Sequence, residues 1–246
     1  MNLKDKVLFN IQYVLGRLFI FLTAPAVSLF VRLAGYKIKD LNNIRAQIKT
    51  MFKEHPGPWI ICANHLTLID SLILAYAMFP IHRYLVNYRL VPWNVPEKYN
   101  YFHKNIIVAL FCYLVKCIPI IRKGSRAAVK SSLNRCAHVL AKGESLMIFP
   151  EGTRSRTGRV DVNNFPYGVG RLVCNYPESL VLCVYLRGEH QITYGKIPKI
   201  NERFAMIVDC IRPTSSAKGL KAQRDCSRQV IEKLAEMERH YFELCW

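Results

Sequence analysis

The sequence predicts an α/β domain with a mostly parallel central sheet flanked by helices, preceded by an N-terminal helical membrane anchor. Three observations lead to this prediction. Short apolar runs alternate with longer segments of helical character, which is the order of elements in a parallel sheet. Hydrophobic residues make up 51% of the 246 residues, enough to form a sizeable core. The third observation is a long apolar segment between residues 7 and 33.

The N-terminal apolar segment is predicted to hold the chain at a membrane. Arg17 and Arg32 enclose only 14 residues, with Pro25 among them, whereas a spanning helix needs about 20 apolar residues. Basic residues at the ends of such a segment can reach anionic headgroups. We therefore expect residues 1–35 to form a membrane-embedded or interfacial helix and residues 36–246 to form the main domain. The alternative is a helix packed on the core of that domain.

The strand candidates are short apolar runs bounded by turn-forming residues. The turn at 56–58, Pro-Gly-Pro, ends the helix before it, because proline cannot continue the hydrogen-bond ladder. The run that follows this turn suits a buried strand. The predicted strands are residues 59–63, 82–88, 118–121, 146–149, 180–186 and 204–208.

Helical segments separate these strands. The predicted helices are residues 44–54, 68–78, 125–141, 167–174 and 217–242, and the apolar run 106–115 is predicted to be buried or membrane-facing. Ligands bind at the carboxyl ends of strands in parallel sheets. His65 and Glu151 each come soon after a predicted strand, so we expect the two polar loops that carry them to meet at one site.

The charge balance favours an anionic partner. Lysine and arginine exceed aspartate and glutamate by 35 − 17 = +18, which is typical of proteins that bind nucleic acid, an anionic membrane or an anionic substrate. The mean hydropathy of +0.08 favours the membrane. The basic residues are spread along the chain without a nucleic-acid-binding signature, so no specific nucleic acid is expected.

The nine cysteines are predicted to be reduced thiols in the core of a cytosolic domain. Their number is odd, they form no CxxC pair, and most of them lie in apolar runs. A disulfide framework or a zinc site would show tighter, repeated spacing. We therefore expect no metal.

The first candidate site is the segment 64–70, Asn-His-Leu-Thr-Leu-Ile-Asp. A histidine can accept a proton near neutral pH. To act as a base it needs the correct tautomer, which a carboxylate on its other ring nitrogen supplies. Across a strand-to-helix turn, Asp70 can lie beneath the imidazole of His65. The alternative is a capping aspartate beside an unrelated loop histidine.

The second candidate site is the segment 149–155, Phe-Pro-Glu-Gly-Thr-Arg-Ser. Gly152 allows the backbone to pass close to a ligand, and the fork of Arg154 matches a phosphate group. Thr153 adds a hydroxyl donor. The alternative is a solvated basic loop, in which Glu151 only neutralises charge.

Together the two segments resemble the glycerolipid acyltransferases typified by 1-acylglycerol-3-phosphate acyltransferase. They match that family's N-H-x4-D and F-P-E-G-T-R-S blocks, with 81 residues from Asp70 to Glu151. The segment 118–124, Ile-Pro-Ile-Ile-Arg-Lys-Gly, stands where the family has an arginine block. A fourth block usually carries a proline in an apolar strand, and the corresponding run 181–186 has none.

The resemblance implies a role for each matched residue. His65 would remove the proton from an acceptor hydroxyl, and Asp70 would orient the imidazole. The hydroxyl oxygen would then attack the carbonyl of a thioester directly, without an acyl-enzyme. The phosphate of the acceptor would be bound by residues from two blocks: Glu151, Gly152, Thr153, Arg154 and Arg122.

The resemblance also implies partners and a location. The expected acceptor is a lysophospholipid, 1-acylglycerol-3-phosphate, and the product is phosphatidic acid. The donor would be acyl-coenzyme A or an acyl carrier protein, and no cofactor is expected beyond this co-substrate. The expected location is the cytosolic face of a membrane, the inner membrane in a bacterium. The alternatives are acylation of another lysolipid, with a larger headgroup or an amino acid, and a non-catalytic lipid-binding protein on the same fold.

Overall fold

The computed structural model of the protein describes residues 3–101, 105–121 and 124–245. The helices in these residues are α1 (Leu3–Leu33), α2 (Leu41–Glu54), α3 (Asp70–Met78), α4 (Ile81–Val86), α5 (Lys98–Tyr101), α6 (Ile106–Leu114), α7 (Arg126–Ala141), α8 (Gly168–Asn175) and α9 (Gly219–Cys245). The strands are β1 (Lys37–Ile38), β2 (Trp59–Ala63), β3 (Trp93–Asn94), β4 (Leu146–Ile148), β5 (Leu180–Gly188) and β6 (Arg203–Ile211).

The described strands form one sheet in the order β1-β6-β5-β2-β4-β3. All neighbouring pairs are parallel except β5 and β6, which are antiparallel. The central strand β2 is buried along its whole length, between β4 on one side and β5 on the other. A strand covered on both faces must be apolar throughout, which explains the unbroken apolar run of β2. The predicted α/β class with a mostly parallel sheet is confirmed.

The two faces of the sheet are covered by different helices. Successive residues of a strand point to opposite faces, so Ile60 and Cys62 contribute to one core cluster while Trp59, Ile61 and Ala63 contribute to the other. The first cluster contains buried residues of α7, α8 and α9, and the second contains buried residues of α2 and α3. The carboxyl ends of β2 and β4 are neighbours in the sheet, and the residues that follow them, such as His65 and Glu151, are buried.

Two predicted strands are wrong. Residues 82–88 form most of α4 and the start of a short 3-10 helix, Tyr88–Leu90. The helix buries only Tyr84, whose hydroxyl donates to the carbonyl of Ala75 over 2.6 Å. Residues 118–121 make only an isolated bridge to the chain after β3. Pro119 lies in this run and has no backbone N–H for a ladder, which explains why no strand forms there.

Helix α1 both packs on the domain and exposes an apolar side. The ring of Phe9 stacks on Trp93 with centroids 4.0 Å apart, and the side-chain amide of Gln12 donates to the carbonyls of Tyr113 and Cys117. Among the described residues, α1 is the one helix long and apolar enough to cross a membrane, and 28% of its most apolar 18-residue window is buried. Helix α6 lies beside it and also exposes apolar side chains. These features support membrane association.

Candidate active site

The loops that follow β2 and β4 meet at one edge of the sheet. The two strands are parallel neighbours, so the residues just beyond their carboxyl ends lie side by side. The backbone N–H of His65 donates to Oε1 of Glu151 over 3.0 Å. In return, the backbone N–H of Ser155 donates to the carbonyl of His65 over 2.9 Å. The two candidate segments therefore form one site.

His65 and Asp70 form a buried pair. Nδ1 of His65 lies 3.0 Å from Oδ2 of Asp70. Asp70 is the first residue of α3, so the chain turns between the two residues and brings the carboxylate back beneath the ring. Both side chains are almost completely buried. A buried carboxylate must have its lone pairs satisfied, and the turn itself supplies the donors.

The Asp70 carboxylate is held by donors from its own loop. Oδ2 accepts hydrogen bonds from the backbone N–H groups of Leu66 at 2.7 Å and Thr67 at 2.8 Å, and Oδ1 accepts one from the Thr67 hydroxyl. The Asp70 carboxylate therefore acts as an acceptor toward each of these groups, and it needs a donor on His65 as well. We assign the proton of a neutral imidazole to Nδ1, the nitrogen that faces the carboxylate. Nε2 then carries the lone pair.

The ring of His65 has a fixed orientation. It stacks on Phe149, with centroids 4.0 Å apart and an interplanar angle of 18°. Among the residues that the structure describes, none is hydrogen-bonded to Nε2. One ring nitrogen therefore faces a carboxylate while the other has no partner among the described residues, and a histidine in this arrangement can accept a proton.

Glu151 lies behind His65. It is buried, and burial raises the pKa of its carboxyl from 4.5 to about 8. The hydrogen bond from the His65 amide opposes this rise, while the carboxyl groups of Glu238, Asp161 and Asp70 add to it. Through its hydrogen bond with the amide, the Glu151 side chain holds the backbone of His65.

Arg154 is linked to the histidine loop through Gly195, whose N–H donates to the carbonyl of Leu66 over 2.9 Å, and part of the donor capacity of Arg154 is unused. Its Nη1 donates to the carbonyl of Gly195 over 2.7 Å, and its guanidinium lies 5.5 Å from the centre of the Tyr194 ring. The group is half-buried, and a guanidinium has five N–H donors. It can therefore bind an anion while keeping its contact with the protein.

Gly152 is required where it stands. Its φ of +70° is in the left-handed region, and a Cβ there would lie 2.7 Å from Cγ of Pro166. Thr153 is next to it and exposed. Arg122, the remaining predicted phosphate ligand, lies outside the described residues.

Three residues at the site were not identified from the sequence. Thr67 holds the carboxylate, Phe149 supports the imidazole ring, and Asn64 pairs through both ends of its amide with the backbone of Leu186 on β5, at 2.7 and 3.0 Å. Asn64 thereby fixes the start of the histidine loop against the neighbouring strand. All three lie within the two candidate segments. Their position in these segments is the one feature of the sequence that could have identified them as site residues.

A large apolar cavity opens beside the pair. Its volume is about 650 Å³, and its walls come mainly from α1, α3, α4 and α6. Leu68 and Ile69, which lie between His65 and Asp70 in the chain, form part of its lining. The volume is in the range of ligand cavities, which are about 300–1,000 Å³. An apolar cavity of this size can hold an alkyl chain.

Comparison with known proteins agrees with this chemistry. The family model described as Acyltransferase matches residues 37–186, which is more than half of the chain. No curated protein matches the sequence significantly. The matched region contains β2, β4, the His65–Asp70 pair and the Arg154 loop. Because this family model covers more than half of the chain, the protein belongs to the acyltransferase family, the glycerolipid acyltransferases that act in lipid metabolism.

Proposed function

We propose that the protein transfers a fatty acyl chain from an acyl thioester to the free hydroxyl of 1-acylglycerol-3-phosphate, giving phosphatidic acid. The observation that carries this proposal is the His65–Asp70 pair, in which Nδ1 is bonded to a fixed carboxylate and Nε2 is left free. Family membership supports acyl transfer as the reaction class.

The proposed reaction follows from this pair. Nε2 of His65 takes the proton of the acceptor hydroxyl as its oxygen attacks the thioester carbonyl carbon. Asp70 stabilises the imidazolium that forms. The C–S bond then breaks, the imidazolium returns the proton to the leaving sulfur, and an ester and a free thiol remain. Atoms and charge balance without an acyl-enzyme.

The acceptor phosphate is assigned to the Arg154 loop. A guanidinium matches a phosphate through two parallel N–H donors, and Arg154 is the half-buried arginine of this loop. Gly152 and Thr153 lie next to it, and the left-handed Gly152 exposes the backbone of the turn. We assign the apolar cavity to an acyl chain, because its lining is mainly apolar.

A membrane location is part of the same proposal. Acceptor and product are lipids, and α1 and α6 expose apolar side chains beside the cavity. Both helices also line the cavity, so a chain can enter it from the hydrocarbon of a bilayer. The large positive charge favours an anionic, cytosolic membrane surface.

The test is acyl transfer by the purified protein in detergent. The labelled acyl chain is offered in two separate assays, as a thioester of coenzyme A and as a thioester of acyl carrier protein. Each assay contains 1-acylglycerol-3-phosphate and is run with the wild type and with His65→Ala. We expect His65→Ala to lower kcat by about a thousandfold, since general bases contribute roughly 10²–10⁴-fold. His240→Ala changes an exposed histidine on α9 and should leave the rate unchanged.

Retention of most of the activity by His65→Ala would refute the assigned base. Transfer to lysolipids with larger headgroups or an amino acid, with none to 1-acylglycerol-3-phosphate, would refute the assigned acceptor while leaving the reaction class intact.

A further inference from the structure

A second cavity lies between the loop 162–167 and the outer face of α9. Its volume is about 600 Å³, and unlike the apolar cavity its lining is largely polar. Three arginines of α9 contribute to it: Arg224, Arg228 and Arg239. Glu232 is the one acidic residue among its lining residues, so these four side chains sum to 3 − 1 = +2.

The three arginines are available to a ligand. All three are exposed, and none forms a hydrogen bond or an ion pair with any residue that the structure describes. Arg224 and Arg228 are one helical turn apart and lie on the same side of α9. Arg239 lies 15 residues beyond Arg224, which is about 22 Å along a helix that rises 1.5 Å per residue. The cavity is therefore long, with basic groups toward both ends.

The loop side of the cavity carries two aromatic rings. Phe165 and Tyr167 both line it, and their ring centroids are 6.0 Å apart with an interplanar angle of 66°. Aromatic faces bind nucleobases by stacking, whereas phosphates are bound by arginines. Aromatic rings facing a row of arginines suit a ligand with both a base and several phosphates.

This cavity is connected to the catalytic edge of the sheet. Pro166, between the two aromatic residues, packs against Gly152 of the active-site turn. At the other wall, Glu238 precedes Arg239 and accepts a hydrogen bond from the backbone of Val160. Glu238 is also among the carboxyl groups that raise the pKa of Glu151, so the Arg239 end of the cavity lies toward the active site and Arg224 lies 15 residues away from it along α9. The arginines of this cavity and His65 are therefore at separate places. A ligand that spans both would have its phosphates far from its reactive group.

We infer that the second cavity binds the 3′-phosphorylated ADP portion of coenzyme A, with the base against Phe165 and Tyr167 and the phosphates on the arginines of α9. This inference rests on the proposed function, because it assigns the acyl donor for that reaction. The pantetheine arm of coenzyme A separates its thiol from its nucleotide, so a nucleotide site apart from His65 is expected.

The experiment measures binding and transfer with a matched pair of variants. Arg224→Gln/Arg228→Gln removes two charges inside the cavity, and Lys218→Gln/Lys221→Gln removes two exposed charges near the start of α9, outside it. Calorimetry with coenzyme A gives the Kd for each protein. We expect the arginine variant to bind at least about tenfold more weakly and the lysine variant to bind like the wild type.

Transfer assays separate this inference from the proposed function. The arginine variant should show a raised KM for acyl-coenzyme A with unchanged kcat, and an unchanged rate with S-acyl pantetheine, which has no nucleotide. Equal Kd values in both variants, or no binding of coenzyme A by the wild type, would overturn the inference. Loss of transfer only from an acyl carrier protein would assign the arginines to a protein donor and overturn it too. Coenzyme A binding that depends on the arginines, with no transfer from any donor, would support the nucleotide site and refute the proposed function.

Discussion

Glu151 links the two candidate segments through one hydrogen bond to the His65 amide. A carboxylic acid accepts this bond whether it is ionised or neutral, but only the ionised form pays the full cost of burial. The protonation state of Glu151 should therefore affect stability more than the position of the histidine loop.

We expect Glu151 to make the protein less stable as the pH rises. Its pKa is raised from 4.5 to about 8, so between these values the folded state keeps a proton that the unfolded state releases. In that window the free energy of unfolding falls with rising pH. Glu151→Gln removes this contribution and keeps an acceptor for the His65 amide. The unfolding midpoint of the variant, minus that of the wild type, should increase from pH 5.5 to pH 8.5.

Glu178→Gln is the control, because this glutamate is exposed. Its midpoint should follow that of the wild type at every pH. A difference between Glu151→Gln and the wild type that stays constant across the range would show that Glu151 has no raised pKa.

At the scale of elements, α8 and α9 approach each other at a glycine. A Cβ on Gly170 would lie 1.8 Å from the carbonyl oxygen of Gln223 on α9, and the backbone N–H of Gly170 donates to the hydroxyl of the buried Ser227 over 2.8 Å. The contact fixes α9 against the domain, and with it the row of arginines on its outer face.

Gly170→Ala should therefore be destabilising. Overpacking of a well-packed contact costs about 1–3 kcal/mol, and the opposing atom here belongs to the backbone, which cannot rotate away. Gly168→Ala in the same helix is the matched control, because its Cβ would meet only Cδ2 of Leu133 at 3.7 Å. Urea unfolding should give a lower free energy for Gly170→Ala and a value within about 1 kcal/mol of the wild type for Gly168→Ala. Equal values for the two variants would contradict this packing.

The elements that the sequence predicted well are those whose pattern depends on local chemistry. β2 and β4 are unbroken apolar runs in a sheet covered on both faces, and α7 has helical periodicity with Ser125 as its N-cap. Residues 82–88 look like a strand by composition, but they fold as helix and turn. Their state depends on packing against α3, which the local pattern does not contain.

The site was predictable in its residues but not in its contacts. The spacing of His65 and Asp70 indicated a pair because a strand-to-helix turn can close it. The roles of Thr67 and Asn64 depend on the direction of a hydroxyl and on the register between β2 and β5. Neither of these is encoded in spacing along the chain.

At the scale of the whole molecule, α1 and α6 contribute to one exposed apolar surface. The two helices are in contact, and Gln12 of α1 donates to the carbonyl of Tyr113 at the end of α6. Ile106 and Ile107 at the start of α6 are 83% and 72% exposed. Large exposed apolar patches mark interaction sites. In the proposed function the partner is the bilayer that supplies the acceptor.

Ile106→Ser/Ile107→Ser should weaken binding to vesicles that contain anionic lipid. Burying one such side chain contributes about 1.5–3 kcal/mol, so the loss of two should lower the partition constant at least tenfold, as measured by flotation. Ile200→Ser/Leu220→Ser is the control, since these side chains are equally exposed, at 76% and 74%, and lie in the loop before β6 and at the start of α9. The control should float with the wild type.

If both double variants bind vesicles like the wild type, α6 does not enter the bilayer and α1 alone provides the apolar contact. If both bind equally weakly, the effect reflects general surface hydrophobicity rather than an oriented face, and the cavity between α1 and α6 would not open toward lipid.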